Sequence, residues 1–355
     1  MGVGNWRGAG RRRVPPTSRG GRRFVRGSDW GGVWTESRES GRAFLVTGCA
    51  GFIGSHLVEA LHELGCSVVG VDAFIDNYSR RAKESNLAAC ARGGRFHFAE
   101  LDLVEAPLEQ LLDGVEGVFH LAARPGVRTS WGSSYESYLH DNVLATQRLF
   151  EAAAARGTRV VFASSSSIYG DAVSYPVRED ARPAPLSPYG VTKLAGEALA
   201  GAYASSHGLD AVMLRYFSVY GPRQRPDMAF SRVLRCLAED RPFSVMGGSQ
   251  SREFTYVGDV VAATLAAMER APSGRAYNVG GGGEISLLEA IRVCEDVLGR
   301  RLELEYSPAA AGDARRTSAD IGRAREELGW APATSLESGL RAQAEGVAKA
   351  VLSQA

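Results

Sequence analysis

The sequence predicts an α/β protein built on a doubly wound parallel sheet, with a smaller mixed α/β region laid over its C-terminal side. Three observations carry that expectation. Short apolar runs alternate with helical stretches from residue 43 to about residue 216. The first run ends in a glycine-rich turn that opens a helix. Beyond about residue 220 the alternation breaks into shorter pieces.

Taken in order, "AFLVTG" is a short apolar strand, and "FIGSHLVEALHELG" has apolar residues at helical spacing with Gly65 as its stop. "CSVVGVD", "RFHFAELD", "GVFHLAA", "RVVFASS" and "DAVMLRY" read as further strands, and 135–156 and 188–207 as helices between them. Strands that alternate with helices imply a parallel sheet covered on both faces. In the last third, "GPRQRPDMAF" reads as a loop and "LELEY" as a strand. Helices are expected over 228–239 and 257–271, near 320–328 and over 335–352.

Composition bounds the class. The chain has 355 residues, 45% hydrophobic and 23% charged, which suits one large globular domain or two coupled ones. No run reaches 18 apolar residues, so no membrane span is expected. Cys49, Cys66, Cys90, Cys236 and Cys294 are odd in number and scattered, which points to reduced thiols in the cytoplasm and argues against a zinc site or a disulfide framework. Residues 1–42 carry ten arginines against Asp29, Glu36 and Glu39, a balance of +7 that leaves about −6 for the rest of a chain whose total is +1. This Arg/Gly-rich start has no apolar period and reads as a disordered tail: either an arm that could bind nucleic acid or, favoured here, a poorly structured extension from a start assigned too far upstream. The mildly acidic body gives no support for a nucleic-acid partner.

The glycine turn carries the cofactor signal. Gly48, Gly51 and Gly54 in "TGCAGFIG" are spaced GxxGxxG between the first strand and the first helix. Such glycines let the turn close, the backbone approach a pyrophosphate, and helix pack on strand, while the helix N-terminus offers free N–H groups. Asp72 ends the second strand 18 residues past Gly54, where a carboxylate is expected on the adenosine ribose. Ala73 and Phe74 follow, with no arginine for a 2′-phosphate, which favours NAD over NADP although Arg80 and Arg81 lie on the next loop.

"SPYGVTKLAGE" carries the catalytic signal. Tyr189 and Lys193 are four apart at the start of a helix and so share a face. A free tyrosine titrates near ~10, and a neighbouring ammonium is expected to favour the phenolate. Such a group takes a proton from a sugar hydroxyl while hydride leaves the same carbon. A serine cluster, "VVFASSSSIYG", ends the strand just before it. His120, on a strand, reads as a packed core histidine.

From about 43 to 340 the chain resembles the extended short-chain dehydrogenase/reductase family, within it the NAD-dependent nucleotide-sugar epimerases and dehydratases. The matching stretches are "TGCAGFIGSHL", "FHLAARPGVRTSW", "VFASSSSIYG", "SPYGVTKLAGE", "LRYFSVYGPRQRPDMAF", "REFTYVGDV", "YNVGGG" and "GDARRTSADIGRAREELGWAP". The resemblance implies a Rossmann-type NAD domain over 43–215, a mainly nucleotide-sugar-binding region over 216–355 with the chain crossing between them, and a homodimer joined through the helices at 135–156 and 188–207. It implies that Phe52 and Ile53 join the three glycines on the cofactor, that Asp102 and Leu103 meet the adenine, and that Ala122 and Ala123 line the nicotinamide-ribose path. Ser165 is implied as the hydroxyl that shares the reacting hydrogen bond with Tyr189.

The resemblance also narrows the reaction. Family dehydratases follow the Ser165 position with Asp and Glu, and decarboxylases keep the Glu. This chain has Ser166 and Ser167, small residues packed under the cofactor, which leaves oxidation and re-reduction at C4. "SVYGPRQRPDM" and "AARPGVRTSW" look like stretches of uronate 4-epimerases, in which a Thr and an Arg hold the sugar carboxylate; here the positions are Ser218 and Arg225, with Arg128 in the second stretch. Arg252 is implied on the diphosphate and Asp313 on the uridine ribose. Some relatives carry an arginine where this chain has Ala310, a contact left missing or supplied by Arg315 or Arg316. The expected activity is C4 epimerisation of UDP-glucuronate to UDP-galacturonate, without a metal. The alternative is a UDP-glucose/UDP-galactose 4-epimerase, ahead of a decarboxylase, a dehydratase or a non-catalytic dinucleotide-binding regulator.

Overall fold

The computed structural model describes residues 41–91, 95–308 and 312–352, with side chains through residue 347. Residues 1–40 of the expected tail, and Ala310, lie outside the described residues. Arg42, counted with the tail, is anchored: its Nε donates to Glu116 at 2.6 Å and its Nη2 pairs with Glu269 at 2.8 Å.

Seven strands form the main sheet: β1 (Ala43–Thr47), β2 (Ser67–Asp72), β3 (Phe96–Glu100), β4 (Gly117–His120), β5 (Arg159–Ser165), β6 (Ala211–Tyr216) and β10 (Ala276–Val279). Their order is β10-β6-β5-β4-β1-β2-β3, and every neighbouring pair is parallel. Alternation along β1 shows why the sheet is covered twice. Phe44 and Val46 face Leu57, Val58 and Leu61 of the helix Phe52–Glu63, together with Val260 and Ala267 of the helix Val257–Arg270. Leu45 faces the other way, into a layer with Leu149 and Phe150 of the helix Ala145–Arg156.

The chain runs outward from β1 to β2 and β3, then returns to place β4 on β1's other side. This reversal opens a crevice beyond the carboxyl ends of β1 and β4, where ligands of doubly wound sheets bind. Register brings the strand ends level: Thr47 pairs with Val71 and His120, and His120 with Phe162. His120 is fully buried between the hydroxyls of Thr47 (2.8 Å) and Thr146 (3.0 Å). Burial pushes its pKa down to about 3, so it is a neutral structural group.

The later chain adds β7 (Ser218–Tyr220), β9 (Ser251–Tyr256) and β11 (Glu284–Ser286) as one small sheet, with β8 (Phe243–Met246) and β12 (Leu304–Ser307) as a parallel pair. A separate apolar core, including Tyr220, Phe230, Leu234, Ile291 and Leu340, holds them to the helices Ala229–Glu239, Leu287–Leu298 and Leu336–Leu352. β10 nevertheless joins the first sheet and the helix Val257–Arg270 packs on its face, so the chain crosses back to it after residue 216. Among the described residues no helix is long and apolar enough to cross a membrane.

Candidate active site

The glycine turn is built as its spacing demands. Gly48 has φ +71°, and its N–H donates to Val71 O at 2.7 Å. A Cβ there would lie 2.8 Å from the Ala122 nitrogen, and one on Gly54 would lie 2.2 Å from the Gly48 carbonyl oxygen. The helix Phe52–Glu63 begins after Gly51 with no side-chain cap and no acid in its first turn. Its leading N–H groups and partial positive charge therefore stay available to an anion. This cradle, which any side chain would fill, fits the pyrophosphate of a dinucleotide.

A cavity of about 420 Å³ runs along the strand ends from this turn, lined by every residue expected on the cofactor: Gly48, Gly51, Phe52, Ile53, Gly54, Asp72, Asp102, Leu103, Ala122 and Ala123. The Asp72 carboxylate accepts from the N–H groups of Ala50 (3.1 Å) and Phe74 (2.8 Å), and burial raises its pKa against the pull of Lys83. Phe74 takes φ +49° to make that contact. Arg80 does not line the cavity: it lies over the Phe74 ring at 4.2 Å and pairs with Glu84 and Glu100.

The same cavity is lined by Ser165, Tyr189 and Lys193. Local sequence places them. Ser187 caps the helix Pro188–His207 by accepting from the Gly190 N–H at 3.1 Å, and Pro188 starts it, so Tyr189 and Lys193 fall one turn apart. Ser165 ends β5 and accepts from the Ser167 N–H at 3.1 Å. Its hydroxyl donates to the Ser167 hydroxyl at 3.1 Å and is near enough to the Tyr189 phenol to hold its pKa down.

The Lys193 ammonium reaches across to the Ala163 carbonyl (2.8 Å), over the Phe162 ring, and burial lowers its pKa to about 8. Burial raises the Tyr189 phenol above its ordinary range; Ser165 and Arg225 oppose that rise. Arg225 is thus one cation whose field reaches the phenol.

Arg225 and Ser218 line this cavity and also a second one of about 390 Å³, which is further lined by Arg128, Arg252 and Asp313. Arg128 donates to Asp313 through Nη2 (2.6 Å) and Nε (3.1 Å), joining the loop after β4 to the later chain. Burial lowers the Arg252 pKa, and its Nη1 donates to the carbonyls of Ser251 and Arg315. Neither Arg315 nor Arg316 lines the cavity; Arg316 pairs with Glu284 at 2.7 Å. Arg232, which carried no sequence signal, lines it instead.

The sequence profile of the NAD-dependent epimerase/dehydratase family matches residues 44–280. The chain belongs to this family. It is 45% identical over 300 residues to an uncharacterized UDP-glucose epimerase, YtcB, of Bacillus subtilis, covering 83% of this chain and 95% of that one. It is 37% identical to the UDP-glucuronate 4-epimerase of Thermodesulfobacterium geofontis, covering 84% and 94%. Among solved structures it is similar to the UDP-glucuronic acid 4-epimerase of Bacillus cereus in complex with UDP-glucuronic acid and NAD, at a TM-score of 0.84 and 40% identity over 87% of this chain and 99% of that one.

Some residues of this family member's site escaped the sequence reading. Tyr138 packs edge-on against Tyr189, with ring centres 6.4 Å apart, and its hydroxyl ties down the loop carbonyls of Pro125 (2.9 Å) and Gly126 (3.0 Å). Asn77 and Tyr78 line the first cavity, each with a buried side-chain oxygen that lacks a partner there. Glu197 takes Arg215 (2.7 Å) and the Ser164 hydroxyl (2.5 Å) next to Ser165. Glu197 alone had a legible cue, since it stands one further helical turn past Lys193.

Proposed function

We propose that this protein interconverts UDP-glucuronate and UDP-galacturonate by inverting C4. The observation that carries the reading is that Arg225 and Ser218 sit on the wall shared by both cavities, with Arg225 close enough to act on the Tyr189 phenol. A guanidinium there suits a sugar carboxylate through paired hydrogen bonds.

When bound, NAD supplies the hydride acceptor that makes C4 a ketone and returns the same hydride to the opposite face. The chain's own groups do the rest. Gly48, Gly51 and Gly54, with Phe52 and Ile53 in the first turn of the helix, take the pyrophosphate. Asp72 takes the adenosine ribose, and Asp102, Leu103, Ala122 and Ala123 line the adenine and nicotinamide ends. Tyr189 accepts the C4 hydroxyl proton, Ser165 shares that hydrogen bond, and Lys193 holds positive charge beneath them. Arg128, Arg252 and Asp313 hold the nucleotide while the hexose turns. Positioning and electrostatics supply most of the rate. Elimination or decarboxylation needs an acid or base next to Ser165, and Ser166 and Ser167 stand there. The carboxylates that line the first cavity, Asp72, Asp102 and Asp141, come from other elements than β5 and the serines that follow it.

A second reading, epimerisation of UDP-glucose, is favoured by one observation. Arg225 already carries the Asp227 carboxylate, so the shared wall is less cationic than its arginine suggests. A proton NMR time course decides between them. Epimerisation of the uronate gives new UDP-galacturonate anomeric signals, with no pentose and no net consumption of NAD. A pentose product, or turnover of UDP-glucose alone, overturns the reading.

Assembly and location belong to the same proposal. The divide near residue 216 separates cofactor-holding from nucleotide-sugar-holding parts. Leu139, Leu144 and Val191 are left exposed on the stretches 135–156 and 188–207, which supports a homodimer formed through that face. All five cysteines are free thiols, which suits a reducing cytoplasm.

A further inference from the structure

The stretch Arg225-Pro226-Asp227-Met228 forms a tight turn closed by Met228 N–H donating to Arg225 O at 3.1 Å. Pro226 takes the position that such turns favour for proline. The turn bends Asp227 back onto the side chain it follows. Arg225 donates from Nε to Asp227 Oδ1 (3.0 Å) and from Nη2 to Asp227 Oδ2 (2.9 Å). This is the two-pronged geometry by which a guanidinium reads a carboxylate. Arg225 is mostly covered, while Asp227 is more than half exposed, and both line the second cavity.

We propose that Asp227 is a specificity-determining residue that acts through Arg225: its carboxylate occupies one edge of the guanidinium and offsets its charge, and so sets how strongly the site prefers a uronate to a neutral hexose. The inference rests on the reading of Arg225 as the group that meets the sugar carboxylate. A uronate must use the remaining Nη1–Nη2 edge and then shares one cation with a second anion a few ångströms away. A neutral hexose meets no such repulsion. Asp227 stays ionised at neutral pH, because Arg225 lowers its pKa against the effect of burial. It therefore tempers selectivity for the uronate, so that a site with an arginine on its wall still admits a neutral sugar.

The test is calorimetric binding of UDP-glucuronate and of UDP-glucose to the NAD-saturated full chain, as wild type, Asp227→Asn, Arg225→Ala and the double variant. Asp227→Asn keeps the shape and removes the charge. The ratio of the two dissociation constants should move toward the uronate by roughly 3- to 10-fold, the scale of a partly screened charge pair. In the Arg225→Ala background the same change should move the ratio little. A ratio that is unchanged, or that moves toward the neutral sugar, overturns the proposal, as does an equal shift in both backgrounds. If Arg225→Ala weakens both sugars equally, the carboxylate reading of Arg225 falls and this inference with it. If Arg225→Ala weakens the uronate selectively while Asp227→Asn changes nothing, only the inference fails.

Discussion

Tyr189 is a phenol that its own surroundings discourage from ionising. Burial raises its pKa, while Ser165 and Arg225 pull it back. As the proposed base it therefore depends on hydrogen bonding and on nearby positive charge. Tyr189→Phe keeps the ring packed against Tyr138 and removes only the proton-carrying oxygen. We expect kcat to fall on the order of 10²- to 10⁴-fold with the melting temperature unchanged; normal turnover would remove Tyr189 from the chemistry. Lys193 gives a pH signature. Its folded pKa is about 8, whereas an unfolded lysine titrates near ~10.4. Between those values the unfolded chain binds the extra proton, so stability rises with pH across that window. Below pH ~8 both states are protonated and burial of the ammonium costs the most. Relative to Lys193→Met, the wild type should gain roughly 2–3 kcal/mol between pH 8 and 10.5, read from urea melts at each pH. A flat difference would mean that the ammonium is better solvated than its 4% exposure indicates.

The helix Pro188–His207 shows what local sequence determines and what it leaves open. Ser187, Pro188 and Gly208 mark its ends, and the expected and observed ranges coincide because these signals are local. Tyr189, Lys193 and Glu197 then share one face, and the first two were legible for that reason. The contact of Glu197 with Arg215 of β6 was not, since it depends on β5 and β6 lying side by side. The stretch 135–156 was expected as an unbroken helix, but Leu139–Leu144 is a π-helical insert. Asn142 is drawn to the Arg124 N–H (2.6 Å) and to the Thr192 hydroxyl (3.0 Å), contacts that no pattern in the segment shows. β7, β9 and β11 were likewise hidden, because short polar strands acquire their pairing from partners far along the chain. Glu197→Leu tests how much this helix owes to its buried pair. It leaves Arg215, with 8% of its side chain exposed, without its carboxylate. The expected loss is about 3–5 kcal/mol in urea denaturation, together with slower turnover as Ser164 loses its anchor beside Ser165. A loss below ~1 kcal/mol would fit a pair already balanced by its own desolvation.

At the scale of the whole molecule, the divide that sequence places near residue 216 does not separate the structure, because β10 and the helix Val257–Arg270 return to the first sheet. Alternating strands and helices made the first six strands legible, but "AYNV" gives no hint that residues 276–279 return as the outer strand beside β6, pairing Ala276 with Met213. The helix Val257–Arg270 returns as well, burying Val257, Val260, Val261, Ala267 and Met268 in the layer that holds Phe44 and Val46. At about 1.5–3 kcal/mol for each large apolar side chain, deleting this helix and β10 removes on the order of 10 kcal/mol. That is comparable to the whole stability of a typical folded chain, about 5–15 kcal/mol. It also bares the edge of β6 and part of one face of β5 and β6. A fragment of residues 43–216 should therefore show no cooperative urea transition and should aggregate at concentrations where the full chain stays dispersed. If the fragment unfolds cooperatively and binds NAD, the six-strand sheet is self-sufficient and the returning segments are an addition to it. The expected outcome has the opposite consequence: the cofactor cavity forms only once the chain has passed through the nucleotide-sugar region and come back, so neither half of the site is completed without the other.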